Sequence, residues 1–475
     1  MANINSAAGN SQVQKTTGLL LLLAGALAVH SVSAQTAFQQ GTLTVVRYGD
    51  RTATTAPTGT LPIAIDEYTT AGTLVRSLDL PVADAGANFG YVGSAIRSNA
   101  DGVVGISPDR SKLSVAGFNL ATGNGNPNGS NAARVMAIVT ANGAVATSSA
   151  LLGSGTPLRC SMVSNAGGLY YAFGAESTGL VYTATAVAAT PPVATPLASA
   201  TVVLPTVSFK KMNIYDGNLY FSTTSNGALT SGAKIRRFTG LPTSAATAID
   251  LPGLPPTSSG AAASSFVMFD INPAIPGVDL LYYSDDASAS VINKYTYNGT
   301  TWTARGTFTA APNLGDGVVR DLTGRLENGQ PVLYGVSYTS LYKFLDASPY
   351  TAAVAIIQTI PVDNAPGGAF SFRGISFSPG TREAIALGTA SARLAREITL
   401  WPNPATAEVR LSLPASLARE AVRVSVLNAL GQTVAAHTFA AGAAPVLPLA
   451  GLAVGVYTVR LETSAGTVSK RLLHE

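Results

Sequence analysis

The chain has 475 residues, 47% of them apolar and only 11% charged, with a net charge of +4 at pH 7. Ordinary globular domains carry roughly 25% charged residues; here Ala, Thr, Ser and Gly fill the deficit, and the weak positive balance, with no Lys/Arg run or RNP-type motif, excludes nucleic acid as a partner. The length allows two or three domains, and a single cysteine, Cys160 in the apolar run "LRCSMV", excludes an internal disulfide framework and predicts a buried thiol.

At the N-terminus Lys15 precedes "GLLLLLAGALAV", residues 18–29, followed by "SVSA" ending at Ala34. A basic residue, a short apolar run and small residues at the −3 and −1 positions (Val32, Ala34) predict a secretory signal peptide over 1–34, cleaved between Ala34 and Gln35. The run would make about 18 Å of helix, short of the ~30 Å hydrocarbon core that an N-terminal membrane anchor would have to cross. No later stretch has 18 uninterrupted apolar residues, so no stable membrane span is expected in the mature protein.

From residue 35 to about 390 the chain repeats. Six pieces resemble one another, starting at Val103 ("VVGISPDRSKLSVAGFN"), Leu158, Phe209 ("FKKMNIYDGNLYFSTTS"), Phe266, Val318 and Phe372 ("FRGISFSPGTREAIALGT"). Each is an alternating strand, a turn rich in Gly, Asn, Asp or Pro, and a second strand; further strand pairs follow, such as "VINKYTYNGTTWTARGTF". Units of four antiparallel strands without a helical period predict an all-β fold, a β-propeller of six blades, with seven as the alternative count and a long β-sandwich or β-solenoid as the alternative architecture. The sixth piece lacks outer strands, whereas "LTVVRYGD" and "IAIDEYTTAGTLVRSLDLP" (residues 43–81) look like outer strands without an inner one. The N-terminal strands are therefore expected to complete the last blade and leave no open edge. On "VVRYGD", "SPDRSKLSVAGFN", "IYDGNLYFS" and "FRGISFSP" this region resembles uncharacterised secreted propeller-like proteins of environmental bacteria, which implies the fold and leaves activity open.

Residues 391–396 are expected to be a linker, and from Glu397 the pattern changes to seven short alternating strands, which predicts a small Ig-like β-sandwich over 397–475. Pro402 and Pro404 should hold Asn403 extended as a stiff entry to the first strand. Gly431 in "NALGQ" suits a hairpin turn, and Tyr457 in "GVYTVRL", after Gly455, is a core anchor. "WPNPATAEVRLSL", "VSVLNALGQTV" and "LAGLAVGVYTVRLETSAGTVSKRLL" resemble the type A C-terminal sorting domain of the type IX secretion system. A generic Ig-like adhesion module is the alternative. The resemblance implies that residues 397–475 engage the type IX machinery, and that the product is secreted or attached to the outer-membrane surface of a Gram-negative bacterium.

The three histidines are His30, His437 and His474, all outside residues 35–396. That region therefore has no Ser-His-Asp triad, Cys-His pair or His-ligated metal, and no catalytic residue, metal or cofactor is assigned. Of the acid pairs that could cleave glycosides, Asp285–Asp286 and Asp66–Glu67 are adjacent in strands and should point to opposite faces; Asp316 with Asp321 is the third candidate. "GNGNPNGSN", residues 123–131, is predicted to be a flexible loop by composition. Basic residues recur near the starts of the first strands: Arg97, Arg159, Lys211, Arg320 and Arg373. Converging, they would make a cationic ring suited to carboxylates, sulfates or phosphates; otherwise they pair with acids such as Asp321 or extend to solvent. The expectation is a binding or structural role toward an anionic glycan or surface component. The alternative is a carbohydrate-active lyase or hydrolase using carboxylates, Tyr and Arg.

Overall fold

The computed structural model describes residues 36–475, apart from 54–57, 96–100, 153–154, 175–177, 185–198, 206, 224–231, 258–261, 286–290, 310–318, 328, 349, 354–355, 365–369, 382–397, 414–421, 429–431, 444 and 464–465. Ala34, Gln35, Arg97, Gly431 and the proposed linker therefore lie outside the described residues, as do Asp286 and Asp316.

The protein is all-β and built from several small antiparallel sheets. Four sheets each take four consecutive strands in chain order, with first strands Leu158–Val163, Phe209–Tyr215, Ala263–Phe269 and Asp321–Glu327. A larger sheet holds the N-terminal strands. In it Thr60–Tyr68 forks: Thr60, Leu61 and Pro62 pair with Val92–Ser94, while Ala64 to Tyr68 pair with Leu74–Asp79. Beyond the fork Lys112–Phe118, Arg134–Thr140 and Val145–Leu151 follow in order. On the other side, Leu43–Gly49 pairs with Phe370–Phe377, from the far end of this region, in a register running from Leu43↔Phe377 to Gly49↔Phe370.

Alternation places successive side chains on opposite faces, and here both faces are dry. In "LYYAF" (Leu169–Phe173) Tyr170 and Ala172 join Phe209, Met212 and Phe221 of the next sheet, while Leu169, Tyr171 and Phe173 join Met136 and Leu151 of the preceding one. Tyr282 and Tyr283 divide likewise: Tyr283 packs with Ile235, and Tyr282 packs with Leu322 and Leu333. Val332, Tyr334 and Val336 share a cluster with Leu43, Val45 and Phe372, whereas Val46 and Tyr48 pack on Leu113 and Val135. Strands buried on both faces need apolar or hydrogen-bonded residues at every position, which accounts for the low charge content.

Two expectations change. Residues 123–131 are tied down and not merely flexible: Thr60 donates its N–H to Asn124 O at 2.7 Å, and Asn126 caps a short 3-10 turn, Pro127–Gly129. Arg134, fully buried, supplies the rest, donating to the carbonyls of Thr156 (2.6 Å), Ser130 (3.1 Å), Asn128 (3.3 Å) and Ala132. Composition reports the freedom of an unattached loop and is blind to donors supplied by a neighbouring strand.

The C-terminal segment forms a three-stranded sheet (Thr399–Trp401, Glu408–Ser412, Val446–Pro448) and a four-stranded sheet ordered Thr433–Phe439, Val422–Leu427, Gly455–Thr463, Gly466–His474. Val409, Leu411 and Leu447 of the first share one apolar cluster with Val424, Tyr457, Val459 and Leu472 of the second. Tyr457 is an anchor as expected, its hydroxyl donating to Ala453 O at 2.6 Å. The expected extended entry is instead a bend over Pro402–Pro404, with both X–Pro bonds cis. The segment is fastened by the Asn403 amide, which donates to Arg471 O (2.8 Å) and accepts from Leu473 N (2.9 Å).

Candidate functional site

Two of the four described basic residues, Arg320 and Arg373, lie against Tyr338, which sits in the turn between Gln330–Val336 and Ser340–Asp346. The guanidinium carbon of Arg320 lies 4.5 Å from the Tyr338 ring centroid and that of Arg373 lies 4.8 Å away. Tyr338 also acts electrostatically on Arg159. The Tyr338 carbonyl accepts the Phe372 N–H at 3.0 Å, holding the turn against the strand that carries Arg373.

The three arginines differ in what they leave free. Arg373 is 1% exposed. It bridges to Asp101 (3.2 Å), donates to Ser94 O (2.9 Å) and Ser371 Oγ (3.2 Å), and lies 4.8 Å over the Tyr48 ring. Its charge is spent inside the fold. Arg159 and Arg320 are half-buried, and among the described residues Arg159 Nε and Nη1 and Arg320 Nε are buried with no hydrogen-bond partner. Buried donors are nearly always satisfied in folded proteins, and a guanidinium has no way to neutralise itself cheaply. Burial pulls the Arg159 pKa down from its ordinary value, while Asp101 and Tyr338 pull it back. Room for the Arg159 side chain comes from Gly174, where a Cβ would lie 2.0 Å from Arg159 Nε.

Asp101 is the acid of this cluster, 1% exposed. Burial raises its carboxyl above the usual range, against the lowering effect of Arg373 and then Arg159. Gly102, at φ +79°, lets it come in: a Cβ there would meet Tyr48 Oη at 2.7 Å and Arg373 Cβ at 2.8 Å. The Tyr48 and Tyr91 hydroxyls are likewise buried without a hydrogen-bond partner among the described residues.

Lys211 does not add a free cation to this group. Its ammonium donates to Asp321 Oδ1 (2.8 Å), Asp321 Oδ2 (3.1 Å) and Val104 O (2.7 Å), all buried. Asp321 also accepts from Ser265 Oγ (2.6 Å) and Ile375 N (3.0 Å), so one carboxylate joins four strands or their flanks. Lys211 also lines a cavity of about 70 Å³, together with Ile106, Arg110, Asn213, Tyr215, Thr323 and Ser376.

The other acid candidates are in use. Asp66 binds Arg47 (2.9 Å), Arg51 (2.8 Å) and Ser77 Oγ (2.6 Å), while Glu67 binds Arg76 (2.7 Å), Thr42 Oγ1 (2.7 Å) and Gln39 N (2.6 Å), on opposite faces as strand parity requires. Asp285 pairs with Lys234. Cys160 is buried, and burial pushes its thiol up to about 12. Sequence reasoning missed Asp101, Tyr338 and Tyr48. Asp101 was legible in principle, as a charge two residues ahead of the repeat that starts at Val103; Tyr338 lies in a turn, where no periodicity marks it.

Residues 399–475 match the family described as the secretion system C-terminal sorting domain. This is a type IX sorting tail following a larger β-rich region, and it implies export by that system to the cell surface or the medium. Among the described residues no helix is long and apolar enough to cross a membrane. Comparison with curated proteins found no match. Among solved structures the chain is similar to PorZ, a bacterial surface component of the type IX secretion system of Porphyromonas gingivalis, at 13% identity and a TM-score of 0.35. That alignment covers 92% of this chain and 58% of PorZ, so the chain spans little more than half of that protein. AofleA from Arthrobotrys oligospora is matched at 14% identity over 78% of this chain and 87% of that one, with a TM-score of 0.34. The dihydro-heme d1 dehydrogenase NirN is matched at 9% identity over 74% and 79%, with a TM-score of 0.35. Likeness at this level carries no argument about function.

Proposed function

We propose that residues 35–390 form a six-bladed β-propeller, followed by an Ig-like sorting module, and that the propeller is an exported binding module. Its ligand is an anionic group, a carboxylate or sulfate on a glycan or another surface component, taken up between Arg159 and Arg320. The propeller reading is supported by five apolar clusters, each shared by two neighbouring sheets in a cycle that returns from the Asp321–Glu327 sheet to Phe370–Phe377 and Leu43–Gly49, and by a sixth inside the larger sheet, between the strands on either side of its fork. It is also supported by the pairing of Leu43–Gly49 with Phe370–Phe377, which closes the edge. In this fold the first strands line a central channel.

The observation that carries the binding reading is the set of buried guanidinium donors on Arg159 and Arg320 that have no hydrogen-bond partner among the described residues. Donors of this kind pair best with oxyanions. The Tyr338 ring carries the guanidinium groups of both Arg320 and Arg373 within cation–π distance. A glycosidase would need two working carboxyl groups about 5–10 Å apart; Asp101 and Asp321 are instead buried and ion-paired, which favours binding.

The test is a screen of the purified chain against sulfated, uronic-acid and neutral glycans, with a degradation assay run alongside. Acidic glycans should bind, and Arg159→Ala and Arg320→Ala should each weaken them by roughly tenfold without loss of fold. Equal binding of neutral glycans, insensitive to both substitutions, would overturn the reading, and cleavage of an acidic polysaccharide would replace it with the enzymatic one.

A further inference from the structure

Lys112–Phe118 pairs with the short strand Gly105–Ile106, and the turn that joins them carries Arg110 into the wall of the cavity that Lys211 also lines. In this turn Ser107 O accepts the Arg110 N–H at 2.7 Å, and Arg110 takes φ +58°. The matching turn of the next sheet, between Leu158–Val163 and Leu169–Phe173, closes the same way: Ser164 O accepts the Gly167 N–H at 3.0 Å, and Gly167 takes φ +88°. The turns that follow Phe209–Tyr215, Ala263–Phe269, Asp321–Glu327 and Phe370–Phe377 likewise place Gly217, Gly277, Gly329 and Gly380 at positive φ. Asp216, the other described non-glycine residue with positive φ, has a short side chain that tolerates it and accepts the Val278 N–H at 3.0 Å. An arginine gains nothing from a left-handed backbone that glycine adopts without steric cost.

The main chain is fixed there from two sides. Gly380 N donates to Arg110 O at 2.7 Å, and Asp109 N donates to Asn165 Oδ1 at 2.9 Å. The Asp109 carboxylate folds back into its own turn, accepting from Ser107 Oγ (2.7 Å), Ser111 Oγ (2.8 Å) and Ser111 N (3.0 Å). The cavity has a volume of about 70 Å³. A water's share of the liquid is about 30 Å³, so this space admits roughly two waters, or one carboxylate group with its first carbon. No Asp or Glu is among the described residues that line it. Its walls offer Arg110, Lys211 with its charge balanced by Asp321, and the hydroxyl-bearing Thr323 and Ser376.

Backbone strain persists where the surrounding structure fixes it and the side chain is needed. We propose that this cavity is a carboxylate-binding site, in which the Arg110 guanidinium pairs with the carboxylate and Thr323 and Ser376 donate their hydroxyls to it. A planar carboxylate matches the guanidinium fork. The acid is either a free small molecule or the uronic acid end of a glycan. The site lies beyond the Lys211–Asp321 pair along the first strands. Thr323 follows Asp321, and Ser376 follows Ile375, whose N–H Asp321 accepts; Arg320 and Arg373 come before those two positions. The inference therefore stands apart from the reading of Arg159 and Arg320.

The experiment titrates the full chain with isotope-labelled acetate, followed by NMR, and with digalacturonate, both at constant ionic strength. Saturable binding is expected. Arg110→Gly should weaken it about tenfold, while the melting temperature holds or rises by about one degree. Thr323→Val, which keeps the shape and removes the hydroxyl, should weaken it about threefold. Digalacturonate binding more tightly than acetate assigns the site to a glycan end, and acetate binding as tightly or alone assigns it to a free small acid; either result supports the proposal. Arg110→Gly that binds like wild type, or that melts several degrees lower, overturns it: the first removes Arg110 from the site, and the second makes it a structural residue. Acetate binding lost in Arg159→Ala and kept in Arg110→Gly overturns it in favour of the other arginines. Absence of saturable binding by both acids overturns it alone, because the reading of Arg159 and Arg320 is decided by sulfated glycans.

Discussion

Lys211 Nζ lies 2.8 Å from Asp321 Oδ1 across 110 residues of chain, with both side chains buried. A buried pair of this kind gains little over apolar packing, but losing one partner strands the other's charge. Lys211→Met and Asp321→Leu should each cost about 3–5 kcal/mol. The double substitution should recover a large part of the loss, because no lone charge remains. Denaturant titration of the four proteins checks this; additive losses would mean that the two charges are independently satisfied.

Arg134 has no acidic partner within ion-pair distance among the described residues and is held by main-chain carbonyls, with Phe118 at 5.0 Å beneath the guanidinium. Burial lowers its pKa to about 10, still high enough to keep it charged at neutral pH. Arg134→Met removes those donors together and should cost roughly 3 kcal/mol. Arg134→Lys should rescue little, since an ammonium cannot reproduce the fork that reaches Thr156 and Ser130 together. Thermal melts give the stability change, and limited proteolysis should show new cleavage within residues 123–132.

These two residues mark where sequence reading runs out. The pairing of Leu43–Gly49 with Phe370–Phe377 is legible, because one segment has an outer-strand pattern without an inner strand and the other has the reverse. The parting of Asp66 from Glu67 is legible too, because parity in a strand is a local rule. Lys211 stands at the start of a first strand as Arg159 does, and nothing local distinguishes a cation destined for Asp321 from one left open. Arg134 begins "RVMAIVT" and reads as an ordinary strand-edge charge; its carbonyl partners come from a loop and from Thr156. Partners fixed by tertiary geometry leave no mark on periodicity.

Asp279 is fully buried and accepts the N–H groups of Ile271 (3.0 Å) and Asn272 (2.6 Å). Burial raises its pKa to about 7, the two backbone donors opposing. In the unfolded chain the group titrates near 4. Between those values the folded state binds a proton that the unfolded state does not, so the contribution to stability is fully present below about 4 and is lost as pH rises through 7. Asp279→Asn should therefore flatten the fall in melting temperature between pH 5 and 8. A variant whose pH profile parallels the wild type would assign that fall to other groups.

Asn403 substitutes for a neighbouring strand: through one amide it both donates to Arg471 and accepts from Leu473, at the edge of the last strand. The bond from Ala405 N to Leu473 O at 2.9 Å continues the same contact. Asn403→Ala loses both side-chain bonds and should destabilise the C-terminal module by about 1–2 kcal/mol. Asn403→Asp keeps the acceptor for Leu473 N but sets a carboxylate oxygen against the Arg471 carbonyl, so it should fare no better. Both variants should lower the fraction of chain reaching the cell surface or medium and raise the fraction retained in the periplasm, read by fractionation and immunoblot. Retention by Asn403→Ala but not by Asn403→Asp would show that the acceptor alone matters; normal export of both would mean that this edge contact plays no part in sorting.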